Sequence, residues 1–160
     1  MVYLDQSLKT NKLEKQKIAI AADHAGFLIK EKLIKYLNRE GYETKDFGCF
    51  SEESIDYPDF AHPAVAAVEA GRFDLGITIC GTGNGINMVA NKYPAIRSAL
   101  CWSEEISRFA RAHNDANVCA LPGRFLSESE AILIIKTFIN TEFEGGRHLK
   151  RIKKIPLKRL

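Results

Sequence analysis

Leu75-Gly76-Ile77-Thr78-Ile79-Cys80 carries a thiol to the end of an apolar run, and Gly81-Thr82-Gly83-Asn84-Gly85 follows at once. Three glycines in five residues allow positive φ and leave backbone N–H groups unshielded by side chains. Ile86-Asn87-Met88-Val89-Ala90-Asn91 then reads as a helix. Unshielded N–H groups at a helix start attract an anion. A thiolate beside such groups is stabilised, which makes Cys80 a candidate base near neutral pH, with the loop holding an oxyanion formed by the reaction. A loop of this kind also serves for a nucleotide phosphate or for a tight turn. The dinucleotide fingerprint G-x-G-x-x-G does not fit, because the interval from Gly83 to Gly85 is too short, and the P-loop pattern fails for want of Gly-Lys-Ser/Thr.

Other candidate groups lie along the chain. Asp23-His24-Ala25-Gly26 sits between an apolar strand and a helix start. Asp23 there suits either sugar hydroxyls or a plain helix cap, and His24 suits an anion. His113-Asn114-Asp115 follows a helix. His113 is a proton carrier near neutral pH or a cation against the helix dipole, and Asn114 suits a turn. Arg147 and Arg151 stand at i, i+4 on one helix face after Gly145-Gly146. Two always-charged, fork-shaped guanidinium groups suit a phosphate, although an isolated basic run is more often a solvated face. Arg124, after Pro122-Gly123, either joins that anion site or is an ordinary loop arginine. His62, before Pro63 inside a helix, reads as structural. Taken together, these groups describe a small phosphorylated, hydroxyl-rich substrate with cations at one end. At the other are the base and oxyanion loop that proton abstraction beside a carbonyl requires. That chemistry needs neither metal nor redox cofactor.

The elements that must position these groups alternate. Apolar strands are predicted at Lys17–Ala22, Leu75–Cys80, Arg97–Cys101 and Val118–Leu121, with a more polar, edge-like strand at Tyr42–Phe47. The first helix places Phe27, Ile29, Leu33, Ile34 and Leu37 on one arc and stops before Gly41. Others are expected over Pro58–Ala70, Asn84–Lys92, from the Ser103 cap to about Ala112, and over Ala131–Ile139 behind the capping box Ser127-Glu128-Ser129-Glu130. A last helix starts near Gly146. Strands separated by helices imply an α/β, three-layer Rossmann-like fold with a five-stranded parallel sheet, whose ligands sit at the carboxyl ends of the strands. That rule is expected to gather Asp23, His24, Cys80 with its loop, His113, Asn114 and Arg124.

Bulk properties fit this reading. The 160 residues suit one domain, 46% hydrophobic and 27% charged, as in an ordinary soluble protein. A formal net charge of +3 gives no reason to expect nucleic acid or a membrane surface as partner. No apolar stretch is long enough to span a bilayer. Residues 1–16 are expected as an N-terminal extension and 17–160 as a single domain with a C-terminal helix. Cys49, Cys80, Cys101 and Cys119 form no Cys-x-x-Cys pair and no zinc spacing, which suggests reduced thiols in the cytoplasm. Cys101 and Cys119 end apolar runs and should be buried. Cys49 falls in a loop, has no assigned role and is expected to react with an alkylating agent without consequence for activity.

Six motifs in order resemble one family. Ala22-Asp23-His24-Ala25-Gly26, Asp56-Tyr57-Pro58, Ile79-Cys80-Gly81-Thr82-Gly83-Asn84-Gly85, Ala90-Asn91-Lys92, His113-Asn114-Asp115-Ala116-Asn117-Val118 and Gly145-Gly146-Arg147-His148 are similar to the ribose-5-phosphate isomerase B family, a group that includes the galactose-6-phosphate isomerase subunits. The resemblance implies an aldose–ketose isomerase interconverting ribose 5-phosphate and ribulose 5-phosphate. In that role Cys80 moves the proton between C1 and C2, and Thr82 and the loop amides of Gly81, Gly83, Asn84 and Gly85 hold the enediolate. His113 helps open the furanose ring, Asp23 and Asn114 place hydroxyls, and Tyr57 lines the pocket. His24, Arg124, Arg147 and Arg151 hold the phosphate. The family works as homodimers, often paired into homotetramers, with sites built from two subunits. One branch has glycine at the position of Cys80 and glutamate at that of Ile86, so the resemblance is to the cysteine branch. Having His113 and the Gly-Arg-His motif together with Cys80 favours the pentose isomerase acting alone. The remaining alternatives are an isomerase of a six-carbon sugar phosphate, such as allose or galactose 6-phosphate, and a non-catalytic sugar-phosphate- or nucleotide-binding module.

Overall fold

The computed structural model describes residues 15–157; most of the expected N-terminal extension and the basic end Lys158-Arg159-Leu160 lie outside them. The elements run β1 (Lys17–Ala22), α1 (Phe27–Arg39), β2 (Glu43–Asp46), α2 (Tyr57–Glu69), β3 (Leu75–Cys80), α3 (Asn84–Ala90), β4 (Ser98–Leu100), α4 (Glu104–Asn114), β5 (Val118–Pro122), α5 (Glu128–Asn140) and α6 (Gly146–Ile152). The strands form one parallel sheet in the order β2-β1-β3-β5-β4. The polar strand is indeed at an edge.

β1, β3 and β5 are buried along nearly their whole length because both faces are covered, which is why they read as continuous apolar runs. The two faces differ in size. Ile18, Ile20, Leu75, Ile77, Ile79 and Leu121 pack against Leu33 and Leu37 of α1 and Ile134, Ile135 and Phe138 of α5. Ala19, Ala21, Val118 and Ala120 point the other way, against the small residues of α2 and α3. On α1 the sequence arc is displaced. Phe27, Ile29 and Ile34 are only half-buried, and the fully buried positions are Lys30, Leu33 and Leu37. Lys30 tolerates this because its ammonium donates to Glu31 and Asp46, which ties α1 to the end of β2.

The order of the strands fixes what sits where. The chain passes from β1 to β2 on one side and returns to β3 on the other, which opens a crevice at the carboxyl ends of β1 and β3. α4 starts at the carboxyl end of β4 and returns to the amino end of β5. His113 and Asn114 are therefore not in a connection at the ligand end, as the sequence reading expects. They are the last turn of α4, at the opposite end of the sheet. Gly76 pairs with Val118 and Cys80 with Pro122, so roughly 13 Å of strand separates the two levels. α4 outruns its expected end at Ala112 because Asp115 N–H donates to Arg111 O and Ala116 N–H to Ala110 O, closing the last turn. α5 begins at Glu128, ahead of Ala131, because the residues after Ser127 are themselves helical and the capping box is formed in full.

At the crevice, the β1–α1 turn presses on β3. A Cβ at Gly26 would stand 2.7 Å from both the carbonyl oxygen and Cγ2 of Ile79. We expect Gly26→Ala to cost about 1–3 kcal/mol through this overpacking. Urea unfolding measures it, and an unchanged midpoint would contradict so close a contact.

Candidate functional site

The sheet's carboxyl end collects one group of side chains. Asp23 leaves β1, donates its N–H to Ile79 O at 3.0 Å and stays 8% exposed. Its Oδ1 accepts from Gly26 N–H at 2.9 Å, so it shapes the turn, and its other oxygen makes no hydrogen bond among the described residues. His24 is half-buried, and its Nδ1 accepts from Ile55 N–H at 3.4 Å, next to the segment that leads to Tyr57. Cys80 ends β3 at 4% exposure, on the small-residue face with Ala61, Ile86 and Ala120, flanked by Tyr57, Val89 and Leu100.

The glycine-rich loop is held tightly from behind. Gly83 has φ +73° and begins α3; a Cβ there would meet Leu100 Cδ1 at 2.4 Å and the Leu121 backbone at 3.0 Å. The Tyr57 ring lies so close to Gly85 that a Cβ would be 2.6 Å from Cζ. Thr82 and Asn84 are exposed, with Thr82 Oγ1 accepting from Asn84 N–H at 3.4 Å. The N–H groups of Gly81, Thr82, Gly83 and Gly85 have no partner among the described residues. Gly123 N–H donates to Cys80 O and Arg124 N–H to Gly81 O, which lays the Arg124 side chain beside Gly81. A thiol, a row of free donors, a carboxylate and two cationic or cation-forming groups thus share one crevice.

Cys49 is also at this end, and here the expectation fails. The loop after β2 folds back on β1, with Cys49 N–H donating to Ala22 O, so the residue is only 2% exposed. Burial raises its thiol pKa above the usual value, which disfavours the reactive thiolate. Cys101 and Cys119 are fully buried as expected. His62 bonds the Tyr93 hydroxyl at 2.8 Å, in keeping with a structural role.

A second group occupies the other end. The His113 ring packs against the tilted ring of Phe109, at 4.7 Å, and stacks on His148, at 4.2 Å and 6° from parallel. Glu144 Oε2 lies 3.7 Å from Nε2 of each histidine, and Glu144 N–H donates to Ala112 O, which anchors it to α4. Arg147 and Arg151 are exposed one turn apart on α6, and Asn114, next to His113 at the end of α4, is exposed with its side chain unbonded among the described residues. His148 is pushed below its ordinary pKa, first by burial and then by the charges of His113 and Arg147, against Glu144. His113, Glu144 and His148 offer three ligand atoms within 4.8 Å of one another. Arg147 Nε donates to His148 Nε2 at 3.5 Å, however, which puts a fixed positive charge on one of the three ligand atoms and suits the trio to proton handling better than to a cation.

The sequence points to both groups, but the strand-end rule expected His113 and Asn114 in the crevice with Cys80, whereas they close α4 at the opposite end of the sheet. Among the described residues no hydrogen bond or ion pair links them. Glu144 and Phe109 are missed, since only the packing of α4 against α6 gives them a role; the i, i+4 spacing of Glu144 and His148 was the available signal.

Residues 18–155 match the Ribose/Galactose Isomerase family. The chain belongs to that family. It is 39% identical over 140 residues to ribose-5-phosphate isomerase B of Escherichia coli, covering 88% of this chain and 94% of that one. Ribose 5-phosphate isomerase of Thermotoga maritima superposes with a TM-score of 0.86 at 49% identity, over 88% of this chain and 97% of that one. Ribose-5-phosphate isomerase B of Mycoplasma genitalium, solved with bound ribulose 5-phosphate, gives 0.84 at 42% identity over 87% and 93%. The family match runs from β1 past α6, so both groups lie inside it.

The depressed pKa of His148 has a consequence for stability. The unfolded chain takes up a proton near 6.5, before the folded chain does, so stability is complete above that pH and falls as acid is added. We expect the wild-type melting temperature to drop more steeply than that of His148→Gln between about pH 7 and pH 5. Parallel curves would contradict the assignment.

Proposed function

We propose that this chain is an aldose–ketose isomerase interconverting D-ribose 5-phosphate and D-ribulose 5-phosphate, in the non-oxidative pentose phosphate pathway of the cytoplasm. The observation that carries the reading is Cys80, held at the crevice mouth directly before a row of free N–H donors. It is supported by kinship to an isomerase solved with ribulose 5-phosphate bound.

With the sugar open, the Cys80 thiolate takes the proton from C2. The electron pair forms the C1–C2 double bond, and the carbonyl oxygen on C1 becomes an enediolate oxyanion. The free N–H groups of Gly81, Thr82, Gly83 and Gly85 stabilise that charge, together with the Thr82 hydroxyl and the Asn84 N–H that donates to it. The C2 hydroxyl passes its proton to the C1 oxygen, the C2–O bond becomes the carbonyl, and the Cys80 thiol returns its proton to C1, which gives the ketose and restores the thiolate. Asp23, with one free carboxylate oxygen, holds sugar hydroxyls, and Tyr57 walls the pocket across Gly85. His24 and Arg124 supply phosphate contacts from the same end. Every step is a proton transfer, so the residues supply what the reaction needs.

His113, Asn114, Arg147 and Arg151 belong to the same reaction but sit at the other end of their own sheet. We infer a homodimer, alone or paired into a homotetramer, in which each copy brings its α4–α6 end to the crevice of the other. His113 then moves a proton from the anomeric hydroxyl to the ring oxygen, and the two arginines grip the phosphate. Residues 17–160 act as one isomerase domain. No helix among the described residues is long and apolar enough to cross a membrane.

The reading is tested by a coupled assay with ribose 5-phosphate and allose 6-phosphate, together with solvent-deuterium exchange at C2. We expect turnover of the pentose, with Cys80→Ala losing roughly 10²–10⁴ in both isomerisation and exchange while still binding a sugar-phosphate analogue. Wild-type exchange in Cys80→Ala would make the thiol structural. Preference for allose 6-phosphate would move the assignment to six-carbon sugars, and analogue binding without turnover would leave a binding module.

A further inference from the structure

Asp115 is the one residue other than glycine with positive φ among the described residues, at φ 45° and ψ 46°. It follows the last turn of α4, where glycine is the ordinary choice because a Cβ is disfavoured in the left-handed region. A strained backbone residue held in place by its surroundings points to a role for its side chain. That side chain is gripped from two sides. Asp115 Oδ2 accepts from Arg97 Nη2 at 2.9 Å, and Oδ1 accepts from Arg111 Nη1 at 3.0 Å. The same guanidinium groups bind the backbone around it: Arg97 Nε donates to Asn114 O and Asp115 O, both at 2.9 Å, and Arg111 Nη1 donates to Ala116 O at 2.7 Å.

Arg97 is itself fixed. Its N–H donates to Asn117 Oδ1 at 2.8 Å, and Asn117 Nδ2 donates to Ala95 O at 3.0 Å, so the clamp is pinned to the start of β4 and the entry to β5. The clamp ends two residues past His113, whose ring is packed against Phe109 and His148. A helix end would otherwise fray by small rotations, and each would swing His113 and Asn114 together.

We propose that Asp115 is a positioning residue for His113. Its carboxylate, bridging Arg97 and Arg111, locks the last turn of α4 so that His113 meets the crevice of the second copy in a fixed pose. The proposal rests on the isomerase reading above, in which His113 acts on the cyclic sugar.

Asp115→Asn keeps the size and the tolerance for left-handed backbone but removes the charge. Asp115→Gly removes the side chain and relieves the strain, which offsets part of the lost pairing, while Arg97 and Arg111 keep their backbone carbonyl partners; circular dichroism and urea unfolding check that both variants are folded. Both should lower kcat on ribose 5-phosphate by roughly tenfold to a hundredfold, the scale of a small misplacement, with KM changed far less. Loss in the ribulose 5-phosphate direction should be smaller. The double variant His113→Ala/Asp115→Asn should be no slower than His113→Ala, because Asp115 acts through His113. Full activity in Asp115→Gly, or multiplying losses in the double variant, would overturn the proposal. A readout independent of turnover is the His113 Hε1 resonance. Stacking on His148 shifts it, and both variants should relax that shift. If it persists unchanged in both, Asp115 does not position the ring. Failure of the isomerase reading itself would appear separately, as absent turnover in the wild type.

Discussion

A parallel sheet sends every strand out at one end and every helix back to the other, and the chemistry of this chain is arranged by that constraint. Residues that follow a strand gather in the crevice beyond β1, β3 and β5, and residues that close a returning helix gather at the far side. Asp23, Cys80 and Arg124 are of the first kind, and His113 and Asn114 of the second. No side-chain rotamer spans a sheet of five-residue strands. The homodimer proposed above answers that problem of connectivity, since it would assemble a site that uses both groups from two copies.

Within the crevice, geometry depends on small residues. The face of the sheet that carries Cys80 is lined by alanine, so α2 and α3 come close and bring Tyr57 onto Gly85. Gly26 and Gly83 let two backbone turns approach Ile79 and Leu121 where any Cβ would collide. The opposite face is large and branched, and supplies most of the apolar burial. One face of a single sheet thus contributes stability, and the other contributes the close contacts that aim a thiol and a row of N–H groups.

Much of this was legible in the sequence. The bounds of β1 and β3 follow from apolar runs with clear ends, and α5 from a capping box that forms as written. The glycine-rich loop announces a positive φ, although only the fold shows that Gly83, and not Gly81 or Gly85, takes it. The end of α4 was not legible, because Asp115 in the left-handed region is set by two arginines distant from it or a turn away. Burial of Lys30 and Cys49 was hidden for the same reason: a charge and a loop thiol are covered only once Asp46 and the loop after β2 fold back. The larger miss concerned ends of the sheet. Chain order places His113 just before a strand, and strand direction alone separates it from Cys80.

The division of the site between two copies is tested most directly by mixing two inactive proteins. Cys80→Ala and His113→Ala are unfolded together and refolded as an equal mixture. If each crevice takes its thiol from one copy and its imidazole from the other, half of the dimers carry one intact site. The mixture then recovers about a quarter of wild-type activity. If the mixture shows no more than the sum of the two variants refolded apart, both residues act within one chain, and the shared site is wrong.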